Sequence, residues 1–159
     1  MNPHKTELIY NTWFGSRTNL QNLAALPGTS SLTVTHDVVQ SINAVRDRGV
    51  TFDSELSMQN HVNKVAGTCF YHFRRLKQVR KLLGPDVAAK LIASLMSSRL
   101  DYCNAVLAGL PRSTIAPLQR VQNAAAHLVV HRGPCDHVAP TLKDRHWLPI
   151  EQRIVFNVY

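Results

Sequence analysis

Eight histidines, three cysteines and an excess of lysine and arginine over aspartate and glutamate are the residues of this chain that could do chemistry. His127, His131, Cys135 and His137 bring four nitrogen and sulfur donors into one stretch, the donor set of a zinc site. Their spacing is not that of two tight ligand pairs, and Gly133-Pro134 interrupts it, so surface or helix-end histidines explain them better. Cys69 and His72 make a weaker pair still. Cys69, Cys103 and Cys135 are widely spaced and odd in number, poor material for a disulfide framework. Reduced thiols are expected, with Cys69 and Cys103 acting as small core residues.

Catalysis finds little to build on. Holding two divalent metals takes paired carboxylates, and no two acidic residues are adjacent in this chain. The closest, Asp53 and Glu55, flank a serine at a strand-to-helix turn, where Asp serves as a turn or capping residue. There is no G-x-S-x-G elbow, Walker loop or G-x-G-x-x-G. We expect no catalytic residues, no metal and no cofactor.

The cations are the stronger signal. Lys64, Arg74, Arg75, Lys77, Arg80 and Lys81 fall in a stretch with no Asp or Glu between Glu55 and Asp86, in a chain of net charge +8. One reading is a solvated outer face whose methylene stems cover apolar surface. A merely solvated face usually mixes signs in stabilising i,i+4 pairs, so the missing acids favour the other reading, an anionic partner of which a phosphate backbone is the commonest. Six phosphate contacts would make affinity fall about a thousandfold between 50 and 200 mM salt.

An element has to present these cations. Met58, Val62, Val65, Cys69, Phe73, Leu76 and Leu83 recur mostly every three or four residues, which predicts one long amphipathic helix over 57–84. Ser57 is its expected N-cap, and Gly84-Pro85 its stop. Pro85 opens a second helix expected to run to about Leu110 with Val87, Leu91, Leu95 and Leu100 as its apolar stripe. A third, capped by Ser113, has Ile115, Leu118, Val121, Ala125 and Leu128 on one face, with Pro117 tolerated in its first turns. Gly133-Pro134 break the chain, and residues 137–159 suggest a short helix, a turn at HWLP and the start of a helix that stops in mid-pattern at Tyr159, as a truncated end would.

Residues 1–53 differ. Thr6 to Phe14, Leu32 to Val39 and Gly49 to Phe52 are β-prone, with a turn at Pro27-Gly28. The expected fold class is therefore α+β and mostly α: a small, incomplete sheet of about three strands followed by a bundle of three or more helices. A chain of 159 residues, 45% of them hydrophobic, can bury a sizeable core. The N-terminus lacks the apolar run of a signal peptide, and no stretch approaches the roughly 20 apolar residues that span a bilayer. An intracellular protein of the cytoplasm or nucleus is expected, with no membrane role.

Several stretches together resemble a known family. SSRLDYCNAVLAGLP at 97–111, LQRVQNAAAHLV at 118–129 and HWLPIEQRI at 146–154 resemble, in order and spacing, the region after the polymerase core of LINE-type (non-LTR, Jockey-like) retrotransposon reverse transcriptases. RGVTFDSELSMQNHV at 48–62 resembles the segment before it, and MNPHKTEL at 1–8 the Asn-x-x-Lys-Thr stretch of the late palm. The resemblance implies that residues 1–53 are a remnant of the palm and 54–159 the helical thumb and connection, truncated at the C-terminus. It implies a nonspecific grip on an RNA/DNA duplex or single strand by the six cations, with Gly49, Val50 and Phe52 in the turn that supports the primer end. Lys5 would match the palm lysine near the incoming nucleotide, but with no nucleotide site beside it an ordinary exposed lysine is the better reading.

The family's aromatic-x-Asp-Asp motif is absent from this sequence, so the magnesium of the full-length enzyme has no ligands here and a catalytically incomplete fragment is implied. Arg48 stands where the family has an apolar residue and His127 where it has arginine, which implies looser packing of one strand and a weaker phosphate contact. The alternative is a helical interaction module that self-associates through surface the palm and fingers would cover, with no nucleic-acid role.

Overall fold

The computed structural model describes residues 7–9, 31–34, 37–130 and 137–158. The protein is α+β and mostly helical, and it divides into two compact units, residues 1–61 and 62–159.

Within the first unit, β1 (Ser31–Val34) pairs antiparallel with β2 (Asp37–Gln40), and β3 (Ala44–Asp47) with β4 (Val50–Asp53). Among the described residues these pairs make two two-stranded antiparallel hairpins, the small β-region expected ahead of the helices. The single strand expected over Leu32–Val39 is folded back on itself, Val34 pairing with Asp37, and β3 was not foreseen at all. Its residues Ala44, Val45, Arg46 and Asp47 alternate weakly in polarity and only Val45 is half-buried, so the usual period-2 signal is faint. Of the strand expected over Thr6–Phe14 only residues 7–9 lie within the described set; there Leu8 forms a parallel bridge with Ser41, and its carbonyl accepts the Ile42 N–H at 2.8 Å. The Pro27-Gly28 turn and Lys5 lie outside the described residues.

Arg48 and Gly49 connect β3 to β4 with φ of 46° and 87°. Positive φ at both central residues of a two-residue loop is the type I′ arrangement, whose twist matches the flanking strands. Arg48, expected to loosen the packing of a strand, is exposed in the turn itself.

The second unit is built around α1 (Gln59–Leu83), α2 (Pro85–Leu100), α3 (Asn104–Leu107), α4 (Arg112–Val130), α5 (Ala139–Asp144) and α6 (Ile150–Val158). Residues 59–61 of α1 belong to the first unit. The core gathers Val62, Ala66, Cys69 and Phe73 of α1 with Ile92, Met96 and Leu100 of α2, Leu118, Val121 and Ala125 of α4, and Ile150 and Ile154 of α6. Gly84, at φ 73°, ends α1, and Pro85 takes the first position of α2, where its missing N–H is not needed.

Two expectations for these helices are corrected. α2 buries Ala88, Ala89, Ile92, Met96 and Leu100 and leaves Val87 and Leu91 of the expected stripe exposed. Small alanines allow close approach on that side, and periodicity by itself could not rank the two faces. Nor does α2 continue to Leu110: it stops at Leu100, Cys103 turns left-handed at φ 58°, and only the four-residue α3 follows. α4 starts one residue before the expected cap, with the Thr114 and Ile115 N–H groups donating to Pro111 O at 3.0 and 3.3 Å, and Ser113 is exposed. Pro117 falls inside its first turns as expected, and the helix–turn–helix over 137–158 is also as expected.

Candidate nucleic-acid interface

The lead-in to α1 is held by a small relay in the first unit. The Asp53 carboxylate accepts the Ser57 N–H at 2.6 Å and the Ser57 hydroxyl at 2.7 Å, and that hydroxyl in turn accepts the Gln59 N–H at 3.3 Å. Ser57 therefore does satisfy an orphan helical donor, and Asp53 is a capping residue, as its place beside a serine predicted. β4 is fixed against the same lead-in where the Thr51 N–H donates to His61 Nδ1 at 3.4 Å.

α1 then extends for 25 residues, about 37 Å. Its cations do not form an even stripe. Arg74, Arg75 and Lys77 are exposed within one turn, while Lys64, also exposed, lies about 15 Å further toward the N-terminus along the axis. Arg74, Lys77 and Lys81 succeed one another at steps of three and four and so follow one flank, with the partly exposed Phe70 at the head of that row. The Lys81 side chain lies outside what the structure describes. Arg75 occupies the outward face, where its Nη1 donates to Tyr71 Oη at 3.0 Å and its guanidinium lies 5.9 Å from the Tyr71 ring centre. That contact pre-orients the fork without neutralising it.

Arg80 is different. It is half-buried, and its Nη1 donates to Leu128 O at 2.6 Å, one of the carbonyls left over at the C-terminal end of α4. Its Nε is buried without a hydrogen-bond partner. This arginine ties α1 to α4, so its guanidinium is already committed and the six-cation set reduces to four described, exposed ones: Lys64, Arg74, Arg75 and Lys77.

Gly49, Val50 and Phe52 come together in the β3–β4 hairpin, in the first unit, whereas the exposed cations belong to the second. Gly49 is in the turn itself, Val50 is buried with 2% of its surface exposed, and Phe52 is half-buried. Val50 and Phe52 are thus framework of the hairpin more than contact surface.

Sequence reasoning missed a polar network that joins α2, α4 and α6. Arg153 makes a paired contact with the Asp101 carboxylate, with Nη2 to Oδ2 at 2.5 Å, and Nη2 also donates to Ser97 Oγ at 3.2 Å. The Asp101 hydrogen bond holds the Arg153 guanidinium even more firmly charged than usual, outweighing the opposing effect of burial. On α4, the fully buried Gln122 donates to Leu148 O at 2.7 Å, and Gln119 receives the Ile150 N–H at 3.0 Å, capping α6. The partners come from 97–111, 118–129 and 146–154, the same three stretches that carry the family resemblance. The long separation of partners, 26 to 56 residues, hides such pairs from any local pattern.

Of the histidine and cysteine group at 127–137, His131 and Cys135 lie outside the described residues; among the described residues no group of three or more His, Cys, Asp or Glu is placed to hold a metal ion. Among them, too, no helix is long and apolar enough to cross a membrane. Compared with protein-family models, curated proteins and solved structures, the chain matches none.

Proposed function

We propose that this chain is a thumb-like piece of a LINE-type reverse transcriptase that holds an RNA/DNA duplex or single strand nonspecifically by its backbone and has no polymerase activity of its own. The carrying observation is the cluster Arg74, Arg75 and Lys77, exposed within one turn of a 25-residue helix with no acid between Glu55 and Asp86. Guanidinium and ammonium groups arranged so contact phosphate without reading bases, which makes the grip independent of sequence. The network linking the three resembling stretches supports the family reading, since it gives their order and spacing a physical role in packing. The hairpin turn at Gly49 is the primer-supporting element in this reading, and the magnesium ligands of the family's active site have no counterpart in the sequence.

The test is a salt titration of fluorescent RNA/DNA hybrid binding, comparing the chain with an Arg74→Ala, Arg75→Ala, Lys77→Ala variant. With Arg80 committed to Leu128 O, five of the six cations remain for phosphate, and affinity should fall about five-hundredfold between 50 and 200 mM salt. The slope should flatten in the variant while helicity is unchanged. A slope near zero, or one indifferent to the three substitutions, would leave α1 as a solvated face. Primer extension by the purified protein would overturn the claim that it lacks polymerase activity.

A second reading, self-association, is favoured by one observation: the neighbouring Val155 and Phe156 of α6 are 53% and 74% exposed. Side chains of that size left in water drive contact between copies. Light scattering that finds a clean monomer at high concentration removes this reading.

A further inference from the structure

The N-terminal half of the stripe expected to bury α2 is left outside, while Leu100 at its other end is in the core. Val87 and Leu91 are 48% and 42% exposed and Leu95 is half-buried, because the alanine-rich side of the helix faces the core. α1 contributes the half-buried Leu76 and the exposed Val79. Leu76, Val79, Leu91 and Leu95 together floor a groove of about 460 Å³ whose polar edge is His72, Arg75 and Gln78. No carboxylate lines it.

A ligand that fills this groove must bring apolar side chains for the floor and negative charge for the edge. A nucleic-acid backbone brings only the charge and would leave the apolar floor of Leu76, Val79, Leu91 and Leu95 without a partner. A second copy of the chain brings apolar groups but a net charge of the same sign, +8 against +8. We propose that the α1–α2 groove docks an acidic amphipathic helix of a protein partner. Apolar anchors at i, i+3 or i+4 and i+7 would seat on Leu76, Val79, Leu91 and Leu95, with the partner's carboxylates turned toward Arg75. This surface does not rest on the nucleic-acid reading, and the two can be separated by experiment.

The probe is a fluorescein-labelled peptide of about 16 residues, with leucines at those anchor spacings and glutamates elsewhere, measured by anisotropy against the full chain. A scrambled peptide of the same composition serves as control. The expected result is binding at least tenfold tighter than the scramble, and at least tenfold weaker in a Val79→Gln, Leu91→Gln variant, which leaves the charge unchanged and still binds the RNA/DNA hybrid as the wild type does. Both residues are already exposed, so the variant keeps its core. Equal binding of the scramble would mean attraction by charge alone and overturn the proposal. Loss of a light-scattering dimer in the variant, with the peptide indifferent to it, would make a second copy the occupant and overturn it equally. Independently of any variant, the peptide must slow hydrogen exchange of the wild-type chain at 72–79 and 87–95; slowing confined to other segments also overturns it.

Discussion

Gly67 sits on the exposed side of α1, and a Cβ there would meet nothing within 4 Å. Glycine in a helix interior costs conformational entropy without offering a side chain in return, so Gly67→Ala should stabilise the chain by about 0.5–1 kcal/mol, read as a rise in denaturant midpoint. Gln122 is the opposite case. It is fully buried, and its amide donates to Leu148 O while its Oε1 accepts from Gln119 Nε2 at 2.9 Å. Gln122→Ala removes the bond to Leu148 O and leaves a cavity in place of a fully buried side chain, and should cost about 1–3 kcal/mol in equilibrium unfolding. A Gln122→Leu variant that proved as stable as wild type would show instead that shape, not hydrogen bonding, matters at that position. Lys64, Arg74, Arg75 and Lys77 were legible as a chemical group because an acid-free run is visible in one dimension. Arg80 was not separable from them, since its acceptor is 48 residues away.

At the scale of elements, α6 is held to the end of α2 by the Arg153–Asp101 pair, whose side chains retain only 17% and 26% of their exposure. Asn157 adds a weaker contact to Asp101 at 3.4 Å. Removing one partner leaves the other charge partly desolvated, so Arg153→Met should cost about 1–3 kcal/mol. A double-mutant cycle with Asp101→Asn should return a coupling of about 0.5–3 kcal/mol. The Arg112–Glu151 pair at 3.0 Å is 87% and 55% exposed, and its removal should change stability by less than 0.5 kcal/mol, within the roughly 0–1 kcal/mol of surface pairs. The comparison, by urea unfolding, separates a pair that positions a helix from one that decorates it. Helix ends were readable where the backbone itself dictates them, as at Gly84-Pro85, and not where a distant side chain does so, as at Asp101.

For the whole molecule, Cys69 reports on the core. It is wholly buried, and burial pushes its thiol pKa up, a shift that the charge of Arg99 opposes to a smaller degree. The folded chain therefore keeps the neutral thiol while the unfolded chain ionises above the ordinary value of about 8.5. The resulting stabilisation is complete below that pH and is lost as pH rises toward the folded value. Between pH 7 and 10 the wild type should lose more stability than Cys69→Val, and site-resolved alkylation of Cys69 at pH 8 should follow global unfolding. Prompt alkylation of Cys69 in the native state would contradict a buried thiol. Composition and period alone determined that this protein is mostly helical, with a long basic helix stopped at Gly84-Pro85 and a thin β-region before it, because capping, proline geometry and amphipathic spacing are local properties. Only the tertiary structure decided that the described strands pair as two hairpins, that α2 turns Ala88 and Ala89 inward and leaves Val87 and Leu91 exposed, and that Arg80 is tied to α4. The hairpins depend on where a short stretch turns back on itself, the α2 face on which of two apolar sides packs more closely, and the Arg80 contact on an acceptor 48 residues away, none of which period or composition encodes.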